Sequence, residues 1–178
     1  MQPVISGNFL VKRAQNRRAG CGVPAQELIG ALKTHPFTRG LAIDYLRLMA
    51  GCGKMRDFAA GDYLWRQGDR IVEAFLVLDG EIALEITVPH EGKLLFESIR
   101  AGEVVGCTAM SHVERWGFDG RAVTAVRAIA MNSRSVRAAL KRDHELGYQI
   151  HAKCTKALGK RLNASRLRLV EAHGAALL

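Results

Sequence analysis

Between Phe58 and Glu85 the chain is cut at short intervals by glycines paired with acids, as Gly61-Asp62, Gly68-Asp69 and Asp79-Gly80-Glu81. Glycine adopts turn conformations without steric cost, and a neighbouring carboxylate bonds the local backbone, so each pair marks a turn. The stretches between them are too short for helices. Tyr63 and Trp65, Phe75 and Val77, and Ile82, Leu84 and Ile86 recur at every second residue, the period of a strand with one buried face. The pattern predicts a run of tight hairpins and excludes an all-helical fold.

The chain reads as three parts. Residues 1–24 form a polar, basic leader with Gly20, Gly22 and Pro24, read as disordered or ordered on contact. Within residues 25–178, a helical segment covers 25–52. Leu28, Ile29 and Leu32 share one side of a first helix, His35-Pro36-Phe37 breaks it, and a second begins near Leu41. Residues 54–132 hold some eight short strands, ending in a pair near 121–124 and 126–131, after the Gly117 and Gly120 loop. Residues 133–174 are helical: Ser133 and Ser135 are candidate N-caps for a short helix ending near Arg142, and a long helix runs from Asp143 or His144 to His173. Its apolar stripe, Leu146, Ile150, Cys154, Ala157, Leu158, Leu162, Ser165 and Leu169, is broad enough to serve two surfaces. The fold class is therefore mainly β with flanking helices: an antiparallel, jelly-roll-like β-roll, N-terminal helices and a long C-terminal helix. At 178 residues and 48% hydrophobic, the chain suits one core.

The order Gly61-Asp62, Gly68-Asp69, Gly80-Glu81, followed by Ala101-Gly-Glu-Val-Val-Gly-Cys-Thr-Ala-Met, resembles the cyclic-nucleotide-binding domain of the catabolite-activator-like (Crp/Fnr) sensors, over roughly His35 to Gly174. The resemblance implies a regulatory domain, not an enzyme, that binds cyclic AMP or a related phosphate-bearing ligand and signals through its C-terminal helix. It also implies a homodimer through that helix. The DNA-reading members continue into a winged helix, for which the sequence after Gly174 leaves no room, so a stand-alone form acting through a protein partner or through its dimer surface is expected.

In the family, the cyclic phosphate sits at the start of a short helix, against an arginine, and a glutamate accepts from the ribose hydroxyl. Carried onto this chain, the ligand-binding residues are Val105, Gly106, Cys107, Thr108, Ala109, Arg115 and Trp116. Cys107 stands where the family has glutamate, and a thiol is a poor acceptor for a hydroxyl. Losing one charge-assisted hydrogen bond of this kind costs about 1.5–3 kcal/mol. The family's arginine position falls near Trp116, with Arg115 one residue before it and His112 a little further upstream. Arg115 either turns inward to the phosphate or lies exposed in its loop, and Trp116 either stacks on a base or plugs the pocket. Asp119 stands at a usually small or apolar position, either neutralising Arg115 or lying at the pocket mouth. A cassette altered in this way leaves a second reading, a degenerate domain that binds no nucleotide and serves as a dimeric interaction or adaptor module.

The remaining chemistry is sparse. Cys21, Cys52, Cys107 and Cys154 have no metal-site or redox-motif spacing and read as reduced structural thiols. His90, His112, His144, His151 and His173 lack the convergence a metal site needs, and no acid–base pair or nucleophile with its base can be placed, so neither a catalytic site, a metal nor a cofactor beyond the nucleotide ligand is expected. His35, before Pro36, is expected to cap or pack at a helix boundary. The net charge of +9 is concentrated in Lys12, Arg13, Arg17 and Arg18 and in Lys153, Lys156, Lys160, Arg161, Arg166 and Arg168. These read as a solvated helix face and leader, or as a surface for phosphate. Neither a signal peptide nor a membrane-length apolar run is present, which points to a cytoplasmic protein.

Overall fold

The computed structural model describes residues 24–90, 92–110 and 114–175. The basic leader with Cys21, and His112, lie outside them. Helices α1 (Ala25–Thr34) and α2 (Ile43–Ala50) precede β1 (Gly53–Phe58), β2 (Tyr63–Trp65), β3 (Glu73–Asp79), β4 (Glu81–Val88), β5 (Gly92–Arg100) and β6 (Val104–Val105). One 3-10 turn (Cys107–Met110) leads to β7 (Asp119–Ala122), β8 (Val126–Asn132), α3 (Ser133–Arg142) and α4 (His144–Ala175).

The strands form two four-stranded antiparallel sheets, ordered β1-β8-β3-β6 and β2-β7-β4-β5. Chain-adjacent strands mostly lie in different sheets; β4 and β5 alone, among the described strands, are both consecutive and paired. The expected run of hairpins is thus a run of crossings between sheets, and a Gly-acid pair cannot distinguish the two because both need a sharp turn.

Those turns share one construction. In Ala59–Asp62, Arg66–Asp69 and Arg100–Glu103 the last residue's N–H donates to the first residue's carbonyl at 3.0 Å. The third residue is glycine at φ +89°, +86° and +85°. The acid accepts the first residue's N–H at 2.9, 2.8 and 2.8 Å. Positive φ at the third position alone defines a type II turn, and the carboxylate closes the ring from the other side.

The strands depart from simple alternation where helices cover the outer face of the first sheet. Ala74, Phe75, Leu76 and Val77 are all buried, as are Ala128, Ile129, Ala130 and Met131. One set of side chains enters the roll; the other meets the helices. Ile86, expected on the buried face, is exposed. The cap of α3 is Asn132, whose Oδ1 accepts Ser135 N–H at 2.9 Å, rather than Ser133 or Ser135. Ser133 instead donates from Oγ to the carbonyls of Ile71 and Val72 at 3.2 and 3.0 Å. Asp143 caps α4 by accepting Leu146 N–H at 2.9 Å.

The long stripe on α4 divides. Leu146, Ile150 and Cys154 are buried against the body of the protein, whereas Leu158, Leu162 and Leu169 are exposed. His35 is buried, and its Nδ1 accepts Phe37 N–H at 3.1 Å, which fixes Nε2–H as donor to the Val77 carbonyl at 3.2 Å. Burial lowers its pKa against the opposing pull of the Val77 and Glu103 carbonyls.

Candidate functional site

The cassette begins where β6 ends. Val105 is buried in register with Phe75, and Gly106 turns the chain at φ +86° into the 3-10 turn, which closes with Ala109 N–H on Gly106 O at 2.8 Å. A Cβ on Gly106 would stand 3.0 Å from Ala74 Cα and 3.1 Å from the Trp116 ring. Thr108 is half-buried, and Ala109 is buried with its carbonyl accepting from Arg137 Nη1 at 2.6 Å.

Cys107 does not turn into the roll. It lines a gap of about 20 Å³ under the helices, together with Leu76, Met131, Val136, Ile150 and Cys154. Its thiol faces that of Cys154 on α4 across this gap, and their interaction lowers the Cys107 pKa and raises that of Cys154. Cys107 thereby meets the long helix from the end of the cassette.

The two loop residues part company. Arg115 is exposed, and its Nη1 donates to the Gly68 carbonyl at 2.6 Å. Trp116 is 5% exposed and held through its backbone, N–H to Asp69 O at 2.9 Å and carbonyl from Gly68 N–H at 2.8 Å. Its ring stacks on Trp65 with centroids 4.0 Å apart and planes 16° from parallel. Trp65 stacks in turn on Phe75 at 5.6 Å, Phe118 approaches Trp116 at 5.8 Å, and Phe96 meets Phe118 edge-on at 5.3 Å. Trp65 Nε1–H donates to the Phe118 carbonyl at 3.0 Å. Five aromatic rings thus fill the space between the sheets on which the cassette opens.

Asp119 is not at the pocket mouth and does not face Arg115. It lies on the outer face of the second sheet, opposite Glu85 in register, because Gly120 and Ala122 take the inner face. Gly120 has to be small: a Cβ there would overlap the Trp65 indole. Outside, Arg121 pairs with Glu85, and Lys93 Nζ lies 2.5 Å from Asp119 and 3.6 Å from Glu85. The Arg121 hydrogen bond lowers the Glu85 pKa against the cost of burial. Burial raises that of Asp119, but Lys93, Gln67 N–H and Arg66 outweigh it and hold the carboxyl low. This network was missed in the sequence, although Asp119-Gly-Arg121 flanking a glycine places two charges on one strand face.

Much of the basic face of α4 is structural. Lys153 donates to the Arg39 carbonyl at 2.8 Å, Arg168 to the Phe96 carbonyl at 2.7 Å, and Arg161 to the Val104 carbonyl. Arg161 also pairs with half-buried Glu97 at 3.4 Å, at the floor of a cleft of about 450 Å³ between β5 and α4. Burial raises the Glu97 pKa, against the opposing charges of Arg161 and Arg168. These three cations fasten the helix to the roll, while Lys156, Lys160 and Arg166 are exposed, as on a solvated face.

Residues 55–143, half of the chain, match the family model of the cyclic nucleotide-binding domain, and the chain belongs to that family. Solved structures agree in fold. A cyclic nucleotide-binding domain from Methylobacillus flagellatus KT superposes with a TM-score of 0.70 at 16% identity, over 83% of each chain. The sensor domain of the transcriptional regulator DNR from Pseudomonas aeruginosa gives 0.64 at 15% identity, covering 78% of this chain and 93% of its own. The regulatory domain of Toxoplasma gondii PKA, crystallised with cAMP, gives 0.60 at 17% identity, covering 79% and 50%. No curated protein matches in sequence. Among the described residues, no helix is long and apolar enough to cross a membrane.

Proposed function

We propose that this chain is a cyclic-nucleotide-binding fold whose ligand chamber is filled by its own side chains, and that it works as a dimeric interaction module. The observation that carries this reading is the position of Trp116. It stands near where the family has its phosphate-binding arginine, stacks on Trp65, and touches the Gly106 turn that would cradle the phosphate. A nucleotide entering by the family route would have to expel a buried indole, gain no charge-assisted bond from Cys107, and draw Arg115 away from Gly68.

The interaction surface is the outer half of α4. Leu158, Leu162, Ser165 and Leu169 follow one another at steps of four, three and four, the spacing of a helix-pairing seam, and the three leucines are 41%, 52% and 61% exposed. A second copy of the chain would cover them, and the two-helix contact would carry partner binding.

The test is isothermal titration with cyclic AMP and cyclic GMP at moderate salt, paired with light scattering for mass. The expected result is no heat up to millimolar nucleotide from a dimer. Saturable binding with one nucleotide per chain would restore the sensor reading, which the retained Gly106 turn and its 3-10 helix favour.

A further inference from the structure

Helix α3 carries Arg134, Arg137, Lys141 and Arg142 and no acidic residue. Arg134 occupies its first turn, where the helix dipole disfavours positive charge. Among the described residues, none of the four lies within ion-pairing distance of a carboxylate. Elsewhere this fold neutralises its inward-leaning cations, as at Arg161–Glu97 and Arg121–Glu85.

Three of these cations, with Arg70 from the loop before β3, surround a cleft of about 770 Å³. Its floor is apolar: Ile71, Val72, Met110 and Leu140. Val72 is 58% exposed there. Glu114 is the one acid among the described lining residues, so four cations against one carboxylate leave a surplus of three positive charges. The walls are tied together by Ser133 N–H and Oγ on the Val72 carbonyl, by Ile71 N–H on the Glu114 carbonyl at 2.8 Å, and by Arg137 on the Ala109 carbonyl. The volume falls within the roughly 300–1,000 Å³ of small-molecule sites.

We propose that this cleft, outside the roll and separate from the filled chamber, binds a small organic polyanion: a compact apolar body bearing two or more phosphate or carboxylate groups. Arg70, Arg134 and Lys141 take the anionic groups, since Arg137 is already committed to Ala109. Paired guanidinium groups suit phosphate and carboxylate geometry. The floor of Ile71, Val72, Met110 and Leu140 takes the body, which separates such a ligand from a bare inorganic ion.

The experiment is titration of the full chain with ADP and with inorganic pyrophosphate at moderate salt, so that diffuse attraction to a basic protein is screened. ADP is expected to bind once per chain, at least tenfold more tightly than pyrophosphate. Arg134→Glu and Lys141→Glu, both at exposed positions, should each weaken ADP at least tenfold, and Lys141→Gln by less. Arg166→Glu, the same charge change on exposed α4 outside the cleft, should leave binding unchanged, with circular dichroism showing every variant folded. Equal weakening by Arg166→Glu, pyrophosphate binding as tightly as ADP, or no binding of either at millimolar concentration would overturn the proposal. None of these outcomes depends on whether the roll interior takes a cyclic nucleotide.

Discussion

Replacing Trp116 by alanine should both destabilise the protein and open the chamber. The indole is 5% exposed and sandwiched between Trp65, Phe118 and the Gly106 turn. A buried tryptophan removes about 150–250 Å² from water. At about 25 cal/mol per Å² this corresponds to about 4–6 kcal/mol, an upper bound because the unfolded chain already hides part of it. Large-to-small aromatic replacements in cores cost about 3–5 kcal/mol, and that is the expected loss. Urea unfolding followed by far-ultraviolet circular dichroism measures it, with Trp116→Phe as a milder partner losing less. The emptied space is the shape of the ring that left, so added indole should bind the variant and recover stability, by about 2.7 kcal/mol at a hundredfold excess over its dissociation constant. Wild type should show no such rescue. A loss below about 1 kcal/mol, or an indole effect equal in both proteins, would refute the claim that Trp116 fills the chamber.

Three further outcomes follow from single sites. Gly106→Ala should cost at least about 1–2 kcal/mol in thermal or urea unfolding, since it forces a side chain into positive φ and against Ala74 and Trp116. Arg121→Ala should cost about 1–3 kcal/mol by leaving Glu85 buried without its main partner, measured as the shift in urea midpoint; the double variant with Glu85→Leu should lose less. His35, whose pKa is lowered by burial, stays neutral in the fold while the unfolded chain takes up a proton near the ordinary value of about 6.5. Its stabilisation is therefore complete above that pH and is lost as pH falls towards the folded pKa, at up to about 1.4 kcal/mol per unit. His35→Gln, which keeps a donor for Val77, should flatten that slope between pH 6.5 and 5.

The roll was legible in the sequence because its turns are chemical. Gly61-Asp62, Gly68-Asp69 and Gly102-Glu103 each supply a positive φ and a carboxylate for the amide three residues before it, and both can be read from residue types alone. What the pairs do not encode is where the next strand goes. Tyr63–Trp65 and Glu73–Asp79 follow one another through a turn, yet belong to different sheets, because that choice is made by long-range contacts such as Trp65 against Gly120. The same limit governs the cassette. Sequence register placed Trp116 near the arginine position and left two roles open, stacking on a ligand or filling its space. The ring's neighbours differ between those roles, and they come from β2, the Gly106 turn and the β7 entry, far apart in the chain. Cys107 was equally ambiguous. Its replacement of a glutamate was visible, but its partner Cys154 lies in α4, and the pair acquires meaning only once the helix folds back over the 3-10 turn. The two residues therefore act on different sides of the cassette: Cys107 points under the helices and meets Cys154, while Trp116 occupies the space between the sheets. Opening the chamber should accordingly depend on the indole: Trp116→Arg is expected to gain cyclic AMP affinity by titration calorimetry, whereas Cys107→Glu, whose carboxylate would enter the gap under the helices, is expected to show none. Affinity gained in full by Cys107→Glu alone would mean that the indole is no barrier to the nucleotide.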